Sequence, residues 1–294
     1  MARISAGIYT SHIPAIGATI DNGRTEEPYW QPVFAGYEYS RQWITEHTPD
    51  VILMIYNDHA SAFDANLVPT FAIATGDEFQ PADEGWGPRP VPPVTGHPLL
   101  ASHIAQSVIQ QDFDLTVVHD LDVDHGLTVP LSLMFGQPGA WPCRIIPIAV
   151  NVVLYPPPSG ARCHALGKAL RHAVDAFDED LDVQIWGTGG MSHQLQGPRA
   201  GLINQSFDRE FLDQLVTNPD ALASIPHIDY VRRAGSEGIE LVMWLVARGA
   251  MDEEVVQRHR FYHVPASNTA VGHLILENTR AAPNGLPQMK GKYT

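Results

Sequence analysis

The sequence predicts an α/β fold with three αβα layers, in which helices cover both faces of a central, mostly parallel or mixed sheet. Short apolar runs rich in β-branched residues recur along the chain and indicate strands buried on both faces. Segments with helical spacing of apolar residues lie between them, which favours this class. No linker or repeat divides the chain, so residues 1–277 are predicted to be one domain. Residues 278–294 are rich in proline, glycine and lysine and are predicted to be a disordered or partner-bound tail.

Composition excludes several classes of function. A chain of 294 residues can bury a large core, and its net charge of −15 disfavours nucleic acid as a partner. Two cysteines without zinc spacing indicate a reducing compartment, so a cytoplasmic protein is expected. The N-terminus lacks a signal-peptide pattern and no apolar run is long enough to cross a membrane, so no membrane association is expected.

Seven stretches are predicted to be strands. Val51–Tyr56 is the clearest, because it is an unbroken apolar run that ends abruptly at polar residues. The other six, in chain order, are residues 3–9, 70–75, 115–119, 144–150, 182–186 and 271–276.

Five segments are predicted to be helices, and local signals mark several of their ends. Pro98 suits the first position of a helix, and Ser159 and Ser236 suit N-cap positions. Gly249 suits a helix C-terminus. The predicted helices are residues 32–47, a segment beginning at Pro98, and residues 160–177, 206–217 and 235–249. The proline-rich stretch 81–98 has no periodicity and is predicted to be a functional loop or a partner-binding lid.

Four histidines follow predicted strand ends, where ligands bind in open α/β sheets. His59 follows Asn57 and Asp58, and Pro14 and Gly17 predict a fixed turn rather than a helix after His12. The other two are His125 and His193, the latter after a run of glycines that lets the backbone approach a ligand. A surface or structural role is the alternative for each histidine taken alone.

Glu240 is the most informative carboxylate. It is the sole polar residue between Ile239 and Val246, in a helical segment that is otherwise apolar on all sides. A buried carboxylate requires a cation or a shifted pKa, and no lysine or arginine lies one turn away. A metal ion satisfies this requirement, whereas the alternative is a partly exposed glutamate in the first turn of a helix.

His12, His59 and Glu240 together make a set of two histidines and one carboxylate. Such a set leaves one face of an octahedral ion open, as in non-haem Fe(II) oxygenases. A hydrolytic zinc site has the same donor types, so the residues alone leave both possibilities open. His193 and His125 are candidates for proton transfer, since a neutral histidine near pH 7 can accept a proton from a bound hydroxyl.

Six longer motifs resemble the class II extradiol (LigB-like) ring-cleaving dioxygenases, and above all the β subunits of protocatechuate 4,5-dioxygenases. The resemblance extends to about Glu277, and only the tail departs from it. The motifs are Thr-Ser-His-Ile-Pro-Ala (10–15), Tyr-Asn-Asp-His-Ala-Ser-Ala-Phe (56–63), Pro-Ala-Asp-Glu-Gly-Trp-Gly-Pro-Arg-Pro (81–90), Asp-Val-Asp-His-Gly (122–126), Trp-Gly-Thr-Gly-Gly-Met-Ser-His-Gln-Leu-Gln-Gly-Pro-Arg-Ala (186–200) and Pro-Ala-Ser-Asn-Thr-Ala (265–270).

The resemblance implies Fe(II) held by His12, His59 and Glu240, His193 as the acid/base and His125 as a second active-site histidine. It implies cleavage of protocatechuate at the 4,5 bond by O2 to 4-carboxy-2-hydroxymuconate semialdehyde, in the breakdown of lignin-derived aromatic compounds. Gallate and 3-O-methylgallate are alternative substrates that differ at one ring substituent. A zinc hydrolase, or a metal-binding protein without catalysis, is the alternative from another class.

The resemblance also implies contacts to the substrate and to a second protein. Ser267 and Asn268 match positions that meet the ring carboxylate, and Asn57 is a further candidate for substrate binding. A small α subunit is expected to cover the active site in an α2β2 assembly. Relatives that cleave gallate can carry this part on the same chain, and the length of 294 residues favours a separate partner.

Overall fold

The computed structural model describes residues 1–279, in which helices cover both faces of a large sheet. Ten strands lie in this part of the chain. They are β1 (Arg3–Thr10), β2 (Val51–Tyr56), β3 (Phe71–Ala74), β4 (Glu78–Phe79), β5 (Val94–Thr95), β6 (Thr116–Val118), β7 (Arg144–Val150), β8 (Asp182–Thr188), β9 (Val255–Ala266) and β10 (Thr269–Asn278).

Helices connect most of these strands. In chain order they are α1 (Pro14–Asp21), α2 (Gln31–Gly36), α3 (Glu38–Glu46), α4 (Pro98–Ile109), α5 (His125–Phe135), α6 (Gly160–Asp175), α7 (Gln205–Thr217), α8 (Pro219–Ala223), α9 (His227–Ala234), a short 3₁₀ helix (Glu237–Glu240) and α10 (Leu241–Gly249). No helix within residues 1–279 is both long and apolar enough to cross a membrane.

Eight strands form one mixed sheet in the order β6-β3-β7-β2-β8-β1-β10-β9, and β4 pairs with β5 apart from it. The central strands β7, β2, β8 and β1 are parallel to one another. β10 is antiparallel to β1, and β9 is antiparallel to β10 at the sheet edge. The three-layer mixed sheet predicted from the sequence is therefore confirmed.

The sheet separates two hydrophobic cores, and β2 contributes to both. Val51, Leu53 and Ile55 belong to one core, which α4, α6, α7 and α10 cover. Ile52 and its alternate neighbours Met54 and Tyr56 belong to the other, which α1, α2, α3 and α5 cover. Because successive side chains of a strand point to opposite faces, an unbroken apolar run is what a strand buried on both sides requires.

All seven predicted strands are present, and three predicted helix ends are confirmed, among them Gly249 as the last residue of α10. Pro98 occupies the first turn of α4. Ser159 caps α6, because its hydroxyl accepts a hydrogen bond from the Arg162 N–H at 3.2 Å.

Three local predictions are wrong. A turn was predicted after His12, but helix α1 begins there, at Pro14. Proline is favoured in the first turn of a helix. Gly17 lies inside α1, where a Cβ would be 2.7 Å from Val129 Cγ2 of the adjoining α5. The predicted helix 235–249 is split into the 3₁₀ helix and α10. Ser236 stands at the N-cap position of the 3₁₀ helix, but its side chain does not cap, since the hydroxyl donates to the Glu237 carboxylate at 2.6 Å.

Several elements were not predicted. Strand β9 was missed because it lies at the sheet edge and is rich in polar residues. Helix α5 was missed because it contains Pro130, and proline is unusual inside a helix. The short helices α1, α8 and α9 were also missed, and the predicted helix 32–47 is divided into α2 and α3. The tail prediction falls almost wholly on residues 280–294, which lie outside the described part of the chain.

Candidate metal centre

The candidate site lies at the carboxyl ends of three neighbouring parallel strands. His12 follows β1, His59 follows β2 and His193 follows β8, and these strands are adjacent in the order β2-β8-β1. Glu240 reaches the same place from the 3₁₀ helix that precedes α10. The sheet therefore brings together residues that are far apart in the sequence, as the crevice rule for α/β sheets predicts.

Glu240 is the centre of this group. Its Oε2 lies 3.3 Å from His12 Nε2 and 4.0 Å from His193 Nε2, and its Oε1 lies 3.9 Å from His59 Nε2. The residue is 7% exposed, so the alternative of a partly exposed carboxylate is wrong. Oε2 also accepts the Gly190 N–H at 2.6 Å, which fixes the carboxylate against the β8 loop.

Two histidines are oriented by contacts at their Nδ1 atoms. His12 Nδ1 lies 3.0 Å from Thr188 Oγ1 at the end of β8. His193 Nδ1 lies 2.7 Å from the Met191 carbonyl oxygen. Because a carbonyl can only accept, His193 carries its proton on Nδ1 and presents an unprotonated Nε2 when the ring is neutral.

His59 is held by Asp124, which comes from the start of α5. Asp124 Oδ2 accepts both the His59 N–H at 2.6 Å and the Nδ1–H at 2.9 Å. Its Oδ1 accepts the Gly126 N–H at 2.8 Å and so caps α5. A carboxylate behind a histidine fixes the ring and raises its basicity, as is common for metal-binding histidines.

The electrostatics keep the carboxylates ionised. Burial raises the pKa of Glu240, but the electrostatic interactions with His12 and His59 outweigh burial and hold the pKa well below its usual range. Burial lowers the pKa of His59, but the interactions with Asp124 and Glu240 outweigh burial and raise it from 6.5 to about 10. Burial is the main cause of a lowered pKa at His12.

The donors fit a divalent transition metal. His12 Nε2 is buried and has no hydrogen-bond partner within residues 1–279, because its 3.3 Å approach to Glu240 lacks hydrogen-bond geometry. Ligands of one ion at about 2.1 Å lie about 3–4 Å from one another. The approaches of His12 to Glu240 Oε2 (3.3 Å) and of His59 to Glu240 Oε1 (3.9 Å) are of this size. Two imidazoles and one carboxylate suit Fe(II) or Zn²⁺. Asn57 Nδ2 lies 2.9 Å from His59 Nε2, so its amide must release that nitrogen when a metal binds.

His125 lies against the rings of His59 and His12, as the first residue of α5. Its ring stacks on His59 with centroids 4.0 Å apart and lies 5.7 Å from the His12 ring. One ring nitrogen from each of these three residues lies within 4.8 Å of the others. The Nδ1 atom of His125 is hydrogen-bonded to the Glu84 carboxylate.

A cavity of about 480 Å³ opens beside the histidines. Its wall combines apolar side chains with hydroxyl groups, and no lysine or arginine is among its lining residues in the described chain. Ser267 lines it from the turn between β9 and β10, in a left-handed conformation with φ 58°. Asn268 is exposed in the same turn and Asn57 is buried beside His59 Nε2, and neither is among the residues that line the cavity.

Sequence reasoning missed the residues that hold the histidines, namely Asp124, Glu84 and Thr188. Asp124 carried a usable signal, because an aspartate before a helical run is a typical N-cap. Glu84 carried none, since its partner is 41 positions away.

Comparison with known proteins identifies the group to which this chain is similar. Residues 6–272 match the family described as the catalytic LigB subunit of aromatic ring-opening dioxygenase. A solved structure of an uncharacterized protein of Escherichia coli K12 covers 93% of this chain and 99% of its own, with a TM-score of 0.56 and 14% identity. That likeness shows the fold alone.

Relatives with assigned names are similar over part of their length. Gallate dioxygenase of Pseudomonas putida is 42% identical over 197 residues, which is 67% of this chain and 58% of the relative. A 2,3-dihydroxyphenylpropionate/2,3-dihydroxicinnamic acid 1,2-dioxygenase of Mycobacterium sp. (strain MCS) is 32% identical over 161 residues, which is 54% of this chain and 48% of the relative. The enzyme of the same name from Rhodococcus globerulus is 28% identical over 199 residues, which is 65% of this chain and 59% of the relative. The chain spans about half to three fifths of the length of these relatives.

Proposed function

The chain belongs to the family of catalytic LigB subunits of aromatic ring-opening dioxygenases, and on that basis we propose that it cleaves a catechol-type aromatic acid with Fe(II) and O2. The observation that carries the proposal is the convergence of His12, His59 and Glu240, with His193 and His125 beside them. This set provides three metal donors and two further imidazoles at one cavity.

His12, His59 and Glu240 are the residues that would hold the iron. Fe(II) bound there would supply Lewis-acid chemistry and a template for orienting the substrate. Its protein ligands are fixed beforehand by Thr188, by Asp124 and by the Gly190 N–H. Such preorganisation lowers the cost of reaching a productive geometry.

His193 is suited to take a proton from a substrate hydroxyl. Its Nδ1–H is tied to the Met191 carbonyl, so the basic Nε2 is the nitrogen directed toward Glu240. A histidine whose tautomer is fixed this way can act as general base and later return the proton. His125, which lines the same cavity, is placed to stabilise negative charge that develops on the reacting oxygens.

The apolar walls of the cavity limit the access of water to the site. Ile13, Pro14, Val152 and Ile239 provide apolar surface for one face of an aromatic ring. A site of this kind strengthens electrostatic interactions and suppresses side reactions with water. Ser267, at the rim, is our candidate to meet the ring carboxylate.

Gallate is the substrate we favour. The named gallate dioxygenase of Pseudomonas putida is 42% identical to this chain, which supports gallate better than the protocatechuate expected from the sequence motifs. Protocatechuate and 3-O-methylgallate stay as rivals because each differs from gallate at one ring substituent. A site that pairs with a substrate hydroxyl discriminates strongly against an analogue that lacks it.

The deciding experiment is a ring-cleavage assay. The chain is loaded anaerobically with Fe(II) and given gallate, protocatechuate or 3-O-methylgallate, and O2 uptake is then followed together with product absorbance. We expect matched O2 uptake and product, with the highest kcat/KM for gallate. Absence of O2 uptake with all three acids, in protein with verified iron, would contradict the proposal. Stoichiometric zinc with esterase or peptidase activity would favour the hydrolase instead.

Two variants separate metal binding from proton transfer. His12→Ala is expected to lose iron, because it removes one of the three proposed donors. His193→Gln is expected to keep iron but to lose turnover by about 10²- to 10⁴-fold, the usual contribution of a general base. Metal analysis and O2 uptake on both variants test the assignment, and full iron content in His12→Ala would refute it.

A small α subunit is the partner we propose, in an α2β2 assembly. Apolar side chains are exposed around the cavity mouth, where Leu195 is 53% and Val153 49% exposed, and Tyr155 follows at 86%. Exposed apolar surface at the rim of a site is typical of protein interfaces. Activity and molecular mass measured with and without a candidate α subunit test this part of the proposal.

A further inference from the structure

The proline-rich loop 81–98 carries one carboxylate into the site. Glu84 accepts the His125 backbone N–H through Oε1 at 3.0 Å and the His125 Nδ1–H through Oε2. Both side chains are 9% exposed, so this pair is removed from bulk water. None of the steps proposed for ring cleavage assigns a role to Glu84 itself.

The loop is fixed on both sides of Glu84. The Ala82 N–H donates to the Val123 carbonyl at 2.9 Å, next to the start of α5. Asp83 Oδ1 accepts the N–H groups of Gly85 and Gly87, which closes a tight turn around Glu84. Further along, Arg89 makes a two-point ion pair with Asp21 of α1 at 2.7 and 2.9 Å. A side chain carried by backbone held at this many points has little freedom to move.

We propose that Glu84 is a positioning residue for His125 in the ring-cleavage reaction, an inference that rests on the proposed function. A carboxylate can only accept hydrogen bonds, so the bond fixes the hydrogen of His125 on Nδ1. The two contacts of Glu84 fix both the start of α5 and the plane of the ring. Nε2 is thereby left as the ring nitrogen for the cavity, with the ring stacked on His59.

A second metal site is the competing interpretation. Ligand atoms of Glu84, Asp124 and His125 lie within 4.8 Å of one another. However, Asp124 Oδ2 already accepts two hydrogen bonds from His59, and Oδ1 accepts one from Gly126. Glu84 likewise uses both oxygens on His125. The carboxylates are therefore engaged as hydrogen-bond acceptors, which favours the positioning role.

The first test reads the His125 ring directly and does not require activity. Metal-free protein with ¹⁵N-labelled histidine is examined by long-range ¹H–¹⁵N NMR, and the His125 signals are assigned by their loss in His125→Asn. We expect a single Nδ1–H pattern in the unaltered chain, loss of that pattern in Glu84→Ala, and its partial retention in Glu84→Gln, whose amide oxygen can still accept. An unchanged His125 pattern in Glu84→Ala would overturn the proposal.

The second test measures turnover in the iron-loaded protein. Glu84→Ala is expected to lower kcat by about 10- to 100-fold, the effect of a misplaced catalytic group, while KM and iron content stay near their original values. Glu84→Gln should recover part of the loss. Glu78→Gln is the matched control, because Glu78 is an exposed carboxylate of the preceding segment that bonds only to Gln80 among the residues described.

A double-mutant cycle separates positioning from a structural role. If Glu84 acts through His125, then Glu84→Ala should cost little further activity in a His125→Ala background. Equal losses in both backgrounds would show an independent role and overturn the proposal. If Glu84→Ala does not fold, which circular dichroism shows, Glu84→Gln takes its place in the cycle. Should the unaltered chain cleave no ring, the proposed function fails, whereas the NMR result still decides whether Glu84 positions His125.

Discussion

Asp124 joins two parts of the candidate metal centre through a single carboxylate. It holds His59 by two hydrogen bonds and caps the helix whose first residue is His125. Burial raises the pKa of Asp124, but the charge and hydrogen bonding of His59 outweigh burial and lower it to about 2. Asp124 is therefore ionised at neutral pH and supplies a negative charge beside Nδ1 of the His59 ring.

Asp124→Asn is expected to weaken metal binding. The amide keeps the shape of the side chain but loses the charge that orients His59 and makes it basic, which typically costs about 10- to 100-fold in metal affinity. Competitive titration with a metal indicator measures the effect. Asp122→Asn is the control, because Asp122 is exposed in the same segment. An affinity equal to that of the control would contradict this role for Asp124.

The pKa of His59 predicts how the metal-free protein responds to alkali. Because this pKa is raised from 6.5 to about 10, the folded protein binds the proton more tightly than the unfolded chain does. The resulting stability is fully present below pH 6.5 and is lost as the pH rises through about 10. Urea unfolding of chelator-treated protein and of His59→Gln should show a difference in stability that shrinks across this range. A difference that stays constant from pH 6 to 10 would refute the expectation.

At the scale of elements, two glycines allow α6 and α10 to lie close together. A Cβ on Gly167 of α6 would lie 2.1 Å from the Val246 carbonyl oxygen of α10. A Cβ on Gly249 of α10 would lie 2.1 Å from the His164 carbonyl oxygen of α6. Since α10 follows Glu240 directly, this close packing also fixes the position of the Glu240 carboxylate.

Gly167→Ala is expected to destabilise the fold. The added methyl group meets backbone rather than a flexible side chain, so the helices must separate, and overpacking of this kind costs about 1–3 kcal/mol. Gly139→Ala is the control, because a Cβ there meets no atom within 4 Å and the residue has no positive φ. Thermal and urea unfolding compare the two variants. Equal midpoints would show that the helices absorb the methyl group without strain.

At the scale of the whole molecule, the candidate functional groups gather at the carboxyl ends of the central strands. β1, β2 and β8 all end there, and the exposed apolar side chains around the cavity mouth lie beside them. Leu195, in the loop after β8, belongs to this rim. Covering the rim by a partner would close the cavity, which links the proposed assembly to the proposed chemistry.

Leu195→Asp is expected to weaken association with the α subunit, because it places a charge in an apolar interface, while iron content stays unchanged. Leu99→Asp is the matched control, since Leu99 is 69% exposed on α4 and lies outside the cavity wall. Size-exclusion chromatography with multi-angle light scattering on mixtures with the α subunit compares the two. If both variants assemble equally well, the rim is not the contact surface.

The sequence by itself determined the central strands, and it indicated that the site forms at their carboxyl ends. Apolar runs such as Val51–Tyr56 carry their own signal, because a strand buried on both faces needs no polar residue. Glu240 was recognisable for a related reason, since a carboxylate in an apolar helical segment needs a partner. The family motifs then assigned its partners His12 and His59.

Only the tertiary structure decided how the histidines are held. His59 is oriented by a carboxylate 65 positions away and His125 by one 41 positions away, and local patterns carry no information about such contacts. Strand β9 was hidden for another reason, because an edge strand exposes polar residues and lacks the apolar run that marks a central strand. Local periodicity reports the burial of a segment, whereas the partner of each polar group depends on which segments the folded sheet places side by side.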